Sequence, residues 1–267
     1  GSGAVAYGGG TTGGVINIIT RSGFKATNGV QATLTAGSYN LKKLDLSGHL
    51  SGEQVALDGY VKSMTTDKYR ANNAERNDSA GLTATVRHQG GDVRLYARSS
   101  NQDLRMPGAR TVNPATGVDE FGNDPRGTSK PNDYMDIKTD AFGVQARQSL
   151  GEGMLSLDVA NKTKKLTAEE FDTDYESKRW QEADELTASL RYEQELSAHR
   201  FVLGVDALQG DADINQVSAY LGFPDSSRKT VRQRHLGVFA DALLRPVAGT
   251  SLSLGVRSQR IEDSAKV

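Results

Sequence analysis

Arginine and tyrosine are the side chains in this sequence best suited to grip an oxygen-rich or anionic ligand. The guanidinium offers a planar fork of N–H donors, and the phenol adds a hydroxyl on a flat apolar ring. They gather in polar stretches: Tyr69 and Arg70; Arg105, Arg110, Arg126 and Tyr134; Tyr175, Arg179 and Trp180; Tyr220, Phe223, Arg228 and Arg232. Tyr7 is the one aromatic residue of a Gly-rich opening. A binding surface made from such residues would be concave, with aromatic anchors and a few placed polar groups.

Other chemistries find less support. The 32 Lys+Arg nearly cancel the 33 Asp+Glu, for a net charge of −1, so no global basic field draws in nucleic acid. With no Cys, disulfide frameworks, thiolate metal sites and Cys nucleophiles are out. Of the four histidines, His88 and His199 sit near short turns, and His49 and His235 lie within or at the start of strands. None has an acid and a Ser in a telling arrangement, and no Gly-x-Ser-x-Gly elbow occurs, so no enzyme is expected. The acidic runs Asp119-Glu120 and Glu169-Glu170, with Asp172 and Asp174, lack the alternate-oxygen spacing of a calcium loop and read as solvated. The glycines before Val15 lead into a strand, whereas nucleotide loops follow a strand and open a helix.

The elements that must position the arginines and tyrosines are strands. From residue 28 onward, apolar residues alternate with polar ones. Val30, Ala32, Leu34 and Ala36 begin the series, and Leu252, Leu254 and Val256 close it, with eleven such segments in all. One face of each strand is apolar and small to medium; the other carries Lys, Asp, Arg, Gln and Thr. The connections alternate too. Ser51–Gln54, Gly90-Gly91, Gly151–Gly153, Gln194–His199 and Pro246–Thr250 are short. Asp67–Asp78, Asp103–Asp136, Leu166–Gln181 and Ile214–Gln233 are long and polar, and Gly37–Asn40 is brief. Short turns on one rim and long loops on the other mark an outer-membrane barrel. No stretch reaches the ~18 apolar residues of a membrane helix, but a barrel crosses with ~9–11 alternating residues per strand. A soluble β-rich adhesin is the structural rival and a passive porin the functional one. In a membrane barrel, Tyr and Trp at strand ends double as an interfacial girdle, and Arg179-Trp180 fits a girdle at a loop base. Loop arginines also suit solvent or lipopolysaccharide phosphate, and Arg94 and Arg98 suit lumen water.

The opening Gly1 to Arg21, with Tyr7-Gly8 ahead of Gly13-Gly14-Val15-Ile16-Asn17-Ile18-Ile19-Thr20, resembles the end of the plug domain in TonB-dependent outer-membrane receptors. Asp103-Leu104-Arg105-Met106-Pro107-Gly108-Ala109 is similar to the Leu-Pro-Gly opening of an extracellular loop in ferric-siderophore and ferric-citrate receptors, with Met106 where Leu is usual. The same residues also suit an ordinary Pro-Gly turn.

The resemblance implies an all-β chain: residues 1–23 as the C-terminal end of a plug, and residues 24–267 as the N-terminal half of an antiparallel transmembrane β-barrel. About eleven strands of a roughly 22-stranded barrel are expected. The chain opens on Gly1-Ser2-Gly3 without a leader and stops just after an apparent strand, so a fragment is expected. The resemblance further implies energy-coupled import across the Gram-negative outer membrane of a ferric siderophore or other iron complex, driven by TonB-ExbB-ExbD through a missing plug N-terminus. Import of haem, cobalamin or carbohydrate is the alternative. The surroundings would be outer-membrane lipid and lipopolysaccharide. No cofactor, catalytic residue or metal ligand is expected. The ligand contacts are expected among Tyr69, Arg70, Arg105, Arg110, Arg126, Tyr134, Arg179, Trp180, Tyr220 and Phe223, with Tyr7 on the plug.

Overall fold

The computed structural model describes Phe24, residues 27–172 and residues 174–266. The plug-like opening and Tyr7 lie outside the described residues. Eleven antiparallel strands form one sheet: β1 (Gly29–Gly37), β2 (Leu41–Ser51), β3 (Val55–Thr66), β4 (Glu75–His88), β5 (Gly91–Arg105), β8 (Tyr134–Leu150), β9 (Gly153–Phe171), β10 (Tyr175–Leu196), β11 (His199–Tyr220), β12 (Phe223–Leu244) and β13 (Leu252–Lys266). The two-residue strands β6 (Val112–Asn113) and β7 (Val118–Asp119), and the short helix α1 (Glu120–Asn123), sit within the β5–β8 connection. Each long strand pairs with its neighbours in sequence, and the sheet is open, with β1 and β13 at its edges. No helix among the described residues is long and apolar enough to cross a membrane, which says nothing about strands.

The eleven alternating segments correspond to the eleven strands, but the strands run further than the alternation does. The expected loop Leu166–Gln181 is ladder as far as Phe171 and again from Tyr175. The expected loop Ile214–Gln233 pairs all the way to Tyr220↔Phe223 and turns on Leu221-Gly222, both with positive φ as in a two-residue hairpin turn. In these upper reaches both faces are polar, so period-2 hydropathy disappears while the backbone pairing continues.

Directly paired residues share a face, so the register assigns every side chain. One row is Val55, Val86, Val93, Ala146, Leu157, Leu190, Val205 and Val238; the next is Leu57, Ala84, Leu95, Val144, Val159, Ala188, Ala207 and Leu236. Leu190, Leu203, Leu95 and Phe142 on this apolar face are all exposed. From Leu186 to Leu196 this face of β10 rises about 33 Å along the strand at ~3.3 Å per residue, and about 24 Å vertically at a barrel's tilt of about 40–45°. That is close to the ~25 Å apolar band of a membrane barrel.

Tilt also explains one oddity. The row Leu46, Val61, Ala80, Ser99, Asp140, Thr163, Asp184, Asp211, Arg232 begins apolar and ends charged on a single face. A row perpendicular to tilted strands climbs by roughly 25 Å over eight steps of ~4.8 Å, and so leaves the apolar band.

The opposite, polar face holds the buried residues. Ala56, Thr85, Val202 and Phe239 are almost fully covered. Arg257 on β13 reaches across Gly237 on β12 to grip Asp206 on β11 with two hydrogen bonds, Nη1–Oδ1 2.8 Å and Nη2–Oδ2 2.7 Å. Phe239 lies between Arg191 and Arg257, with centroid distances of 5.6 and 5.7 Å, and covers Gly204. A Cβ at Gly204 would collide with that ring, which is buried and flanked by the two guanidinium groups. Gly204→Val in the full-length protein should therefore lower the unfolding free energy in micelles by about 1–3 kcal/mol, the usual cost of overpacking. Gly210→Val, where no atom lies closer than 3.9 Å to such a Cβ, should change it far less. Urea titration followed by heat-modifiable gel migration reads both.

Candidate functional site

The rim opposite the short turns carries the connections Ser38–Asn40, Asp67–Ala74 and Met106–Asp133, and the β9–β10 and β11–β12 turns. Hydrogen bonds tie three of these together. The Arg70 guanidinium donates to three backbone carbonyls of the long connection: Nε to Gly127 (3.0 Å), Nη1 to Gly108 (2.8 Å) and Nη2 to Pro107 (3.1 Å). The Asn72 amide contacts three more, on Met106 (3.2 Å), Lys130 (2.6 Å) and Asp133 (2.9 Å). Ala71 N–H donates to the Arg126 carbonyl at 2.7 Å, and Arg126 Nε returns a bond to the Tyr69 carbonyl at 3.0 Å. Tyr39 and Tyr69 meet edge to face at 5.9 Å, with Arg126 at 6.0 Å from each ring. On the far side, Lys130 Nζ bonds Asp172 at 2.6 Å, and the buried Asp133 accepts the Phe171 N–H at 2.7 Å. Hydrogen bonding to Asp172 holds the Lys130 ammonium pKa above its ordinary value.

The structure thus brings Tyr69, Arg70 and Arg126 together and adds Tyr39 and Asn72, which the sequence reading passed over. Tyr39 lies in a connection too brief to attract notice, and an isolated Asn carries no pattern. Arg70 has its donors occupied by carbonyls. Arg110 is similarly engaged, contacting the Glu120 and Asp124 carbonyls beside α1.

The remaining expected residues separate by face. Arg105 and Tyr134 are register partners with the cation 5.2 Å from the ring, and they lie on the same face as the apolar band, above it. There Tyr134 adjoins Glu169, which Lys178 neutralises. The Lys178 hydrogen bond draws the Glu169 carboxyl below its usual range, the Glu169 bond pushes the Tyr134 phenol up, and burial with Asp103 opposite pushes Asp136 up. Trp180 shares this face, whereas its neighbour Arg179 points to the polar face, as strand alternation requires. Tyr175, Tyr220 and Phe223 form one row on the polar face at the top of β10, β11 and β12, with Tyr220 62% and Phe223 76% exposed. Arg228 and Arg232 lie on the opposite face, paired with Asp213 (3.8 Å) and Asp211 (3.2 Å). Among the described residues no group of three His, Asp or Glu is placed to hold a metal ion.

The arrangement is an open antiparallel wall with a connection pinned at one rim and one polar face. Solved structures share the fold of the wall. The ferric yersiniabactin uptake receptor FyuA from Yersinia pestis superposes with a TM-score of 0.82 at 12% identity over 98% of this chain and 46% of that one. The ferric citrate transporter FecA superposes with 0.79 at 15% identity over 99% and 42%. The ferric-catecholate import receptor Fiu from E. coli K12 superposes with 0.74 at 12% identity over 90% and 42%. The chain has the barrel fold of these uptake receptors and spans under half of their length. No protein-family profile and no curated protein sequence matches it.

Because Asn72 and Arg70 hold the long connection, Asn72→Ala should strand the Met106 and Lys130 carbonyls at a cost of about 1–3 kcal/mol, while the Asp133 carbonyl keeps the Met106 N–H. The expected sign is faster protease cleavage within residues 106–133 and unchanged cleavage at the β11–β12 turn, both read by mass spectrometry of timed digests.

Proposed function

We propose that this chain is the first half of the barrel of a TonB-dependent outer-membrane receptor that imports a ferric siderophore or similar iron complex. In this reading residues 1–23 end the plug, and residues 24–267 are closed into a cylinder by further strands. The apolar face meets lipid, the polar face lines the lumen, and the pinned rim is extracellular. The observation that carries the reading is the continuous eleven-strand register, which superposes over 98% and 99% of this chain on two iron-complex uptake receptors. An edge strand left unpaired is an association template, so both open edges call for partners from the same barrel.

The two faces support the membrane setting. Exposed Leu, Val and Phe on a face about 24 Å tall would be a liability in water and are at home in hydrocarbon. The ion pairs Asp206–Arg257 and Glu193–Arg200 lie on the other face, where lumen water and the plug can solvate them. Energy coupling would enter through the plug and TonB, and the iron complex would be cargo.

The test is uptake of radiolabelled iron delivered as single defined complexes by cells with and without the gene, under iron limitation. Loss of uptake of one complex on deletion is expected, with restoration by the intact gene. Unchanged uptake of every iron complex would overturn the iron reading and turn attention to haem, cobalamin or carbohydrate.

A further inference from the structure

Above the apolar band, β9–β12 present two faces of different electrostatic character. On the outward face most cations are matched: Lys165 with Glu182 (2.7 Å), Lys178 with Glu169, Arg232 with Asp211 (3.2 Å) and Arg228 with Asp213 (3.8 Å). On the inward face Lys162 is matched by Glu185 at 3.0 Å, but Lys164, Arg179 and Lys229 make no hydrogen bond or ion pair among the described residues. Two carboxylates share this part of the inward face, Glu170 and Asp225. Both stand in the row of Ser177, one step nearer the rim than Arg179, and neither forms an ion pair with the three cations among the described residues.

The register fixes the layout. Arg179 pairs with Gln216, Lys229 with Ile214 and Lys164 with Ala183. With strands ~4.8 Å apart and ~3.3 Å per residue, the three Cα atoms form a triangle with sides of about 12 to 16 Å. Its floor is neutral and mostly short or apolar: Gln181, Ala183, Ala212, Ile214 and Gln216. Tyr175, Tyr220 and Phe223 edge it toward the rim. Long flexible cations around a neutral floor converge on an object roughly 10 Å across, and three cations against the two carboxylates of the next row leave the patch net positive, which draws in anions. A wall meant only to be wet has no need of this asymmetry, since the outward face of the same strands is wet and balanced.

We infer that Lys164, Arg179 and Lys229 form an anion-recognition surface on the inner wall, selecting an iron complex of net negative charge over neutral or cationic complexes. The inference rests on the import reading above and deepens it by naming the charge class of the cargo. It also sorts the arginines and aromatics by face. Arg179 serves the ligand, whereas Trp180, Arg105 and Tyr134 face outward, and Arg70 and Arg110 hold the loop.

The test uses the full-length receptor in detergent and three probes: a trianionic ferric triscatecholate, an electroneutral ferric trihydroxamate and a cationic ferric trihydroxamate. Quenching of intrinsic fluorescence reads binding. The wild type is expected to prefer the trianionic probe, with affinity falling as salt rises. Changing Lys164, Arg179 and Lys229 together to Gln should weaken that probe by ten-fold or more. Lys165→Gln, on the outward face, should leave it unchanged, and heat-modifiable migration should show both variants folded. Preference for the neutral or cationic probe, or trianionic binding indifferent to the triple change, would overturn the inference and leave the import reading standing. Binding of none of the three, together with iron uptake unaffected by gene deletion, would bring down the import reading itself.

Discussion

A strand has two faces and a period of two, and here that period is carried without a break through ten strand pairings. Because pairing is continuous, a slip of one residue anywhere would turn a strand's whole apolar set to the wrong side. The register is therefore the constraint on which everything else rests. It decides that Leu190 and Ser189 part company, and that Arg179 and Trp180 cannot serve the same surface. Devices on the polar face help to hold it. Arg257 can reach Asp206 across a strand only because Gly237 leaves the path open, and Phe239 can lie flat only because Gly204 has no side chain. These glycines weaken the strand locally and are offset by the ion pair and the ring they admit.

In the proposed membrane setting, the same reasoning sets the height of the apolar band. Rows of paired residues run perpendicular to the strands, while a bilayer cuts across them obliquely. A single row can thus begin in the apolar band at Leu46 and Val61 and end in charge at Asp211 and Arg232, with no face reversed. Charged side chains on the outward face are then a sign of height. Their pairing, Lys165 with Glu182 and Arg232 with Asp211, is what such a face can sustain in water, where each exposed pair is worth little.

Much of this was legible in the sequence, and the limits have a physical cause. Wherever one face is apolar and the other polar, alternation marks the strand, and the eleven strands were found that way. Above the band both faces are polar, so Ile214–Gln233 looked like a loop although its backbone pairs as far as Tyr220 and Phe223. Alternation also gives a face only relative to its neighbours, and the residues flagged for ligand binding were chosen by type, without a face. Arg105 and Tyr134 show the consequence: they stand on the face that carries the apolar band, which their residue types do not reveal. The role of Arg70 was not legible at all. Its partners are carbonyls of Pro107, Gly108 and Gly127, and a backbone acceptor leaves no trace in side-chain pattern.

Arg70 and Arg179 bear on the same question from opposite sides. Both are arginines in polar surroundings near one rim, and composition treats them alike. Arg70 has spent its donors on the carbonyls of a long connection that would otherwise have to satisfy them with solvent or unaided turns. Arg179 stands on a strand whose backbone is already satisfied by its two neighbours, so its guanidinium is not needed for the fold. A recognition surface can be built where the backbone asks nothing of the side chains, and the proposed one lies on the inner wall of the tall strands β9–β12, with the pinned connection beside it as a fixed boundary.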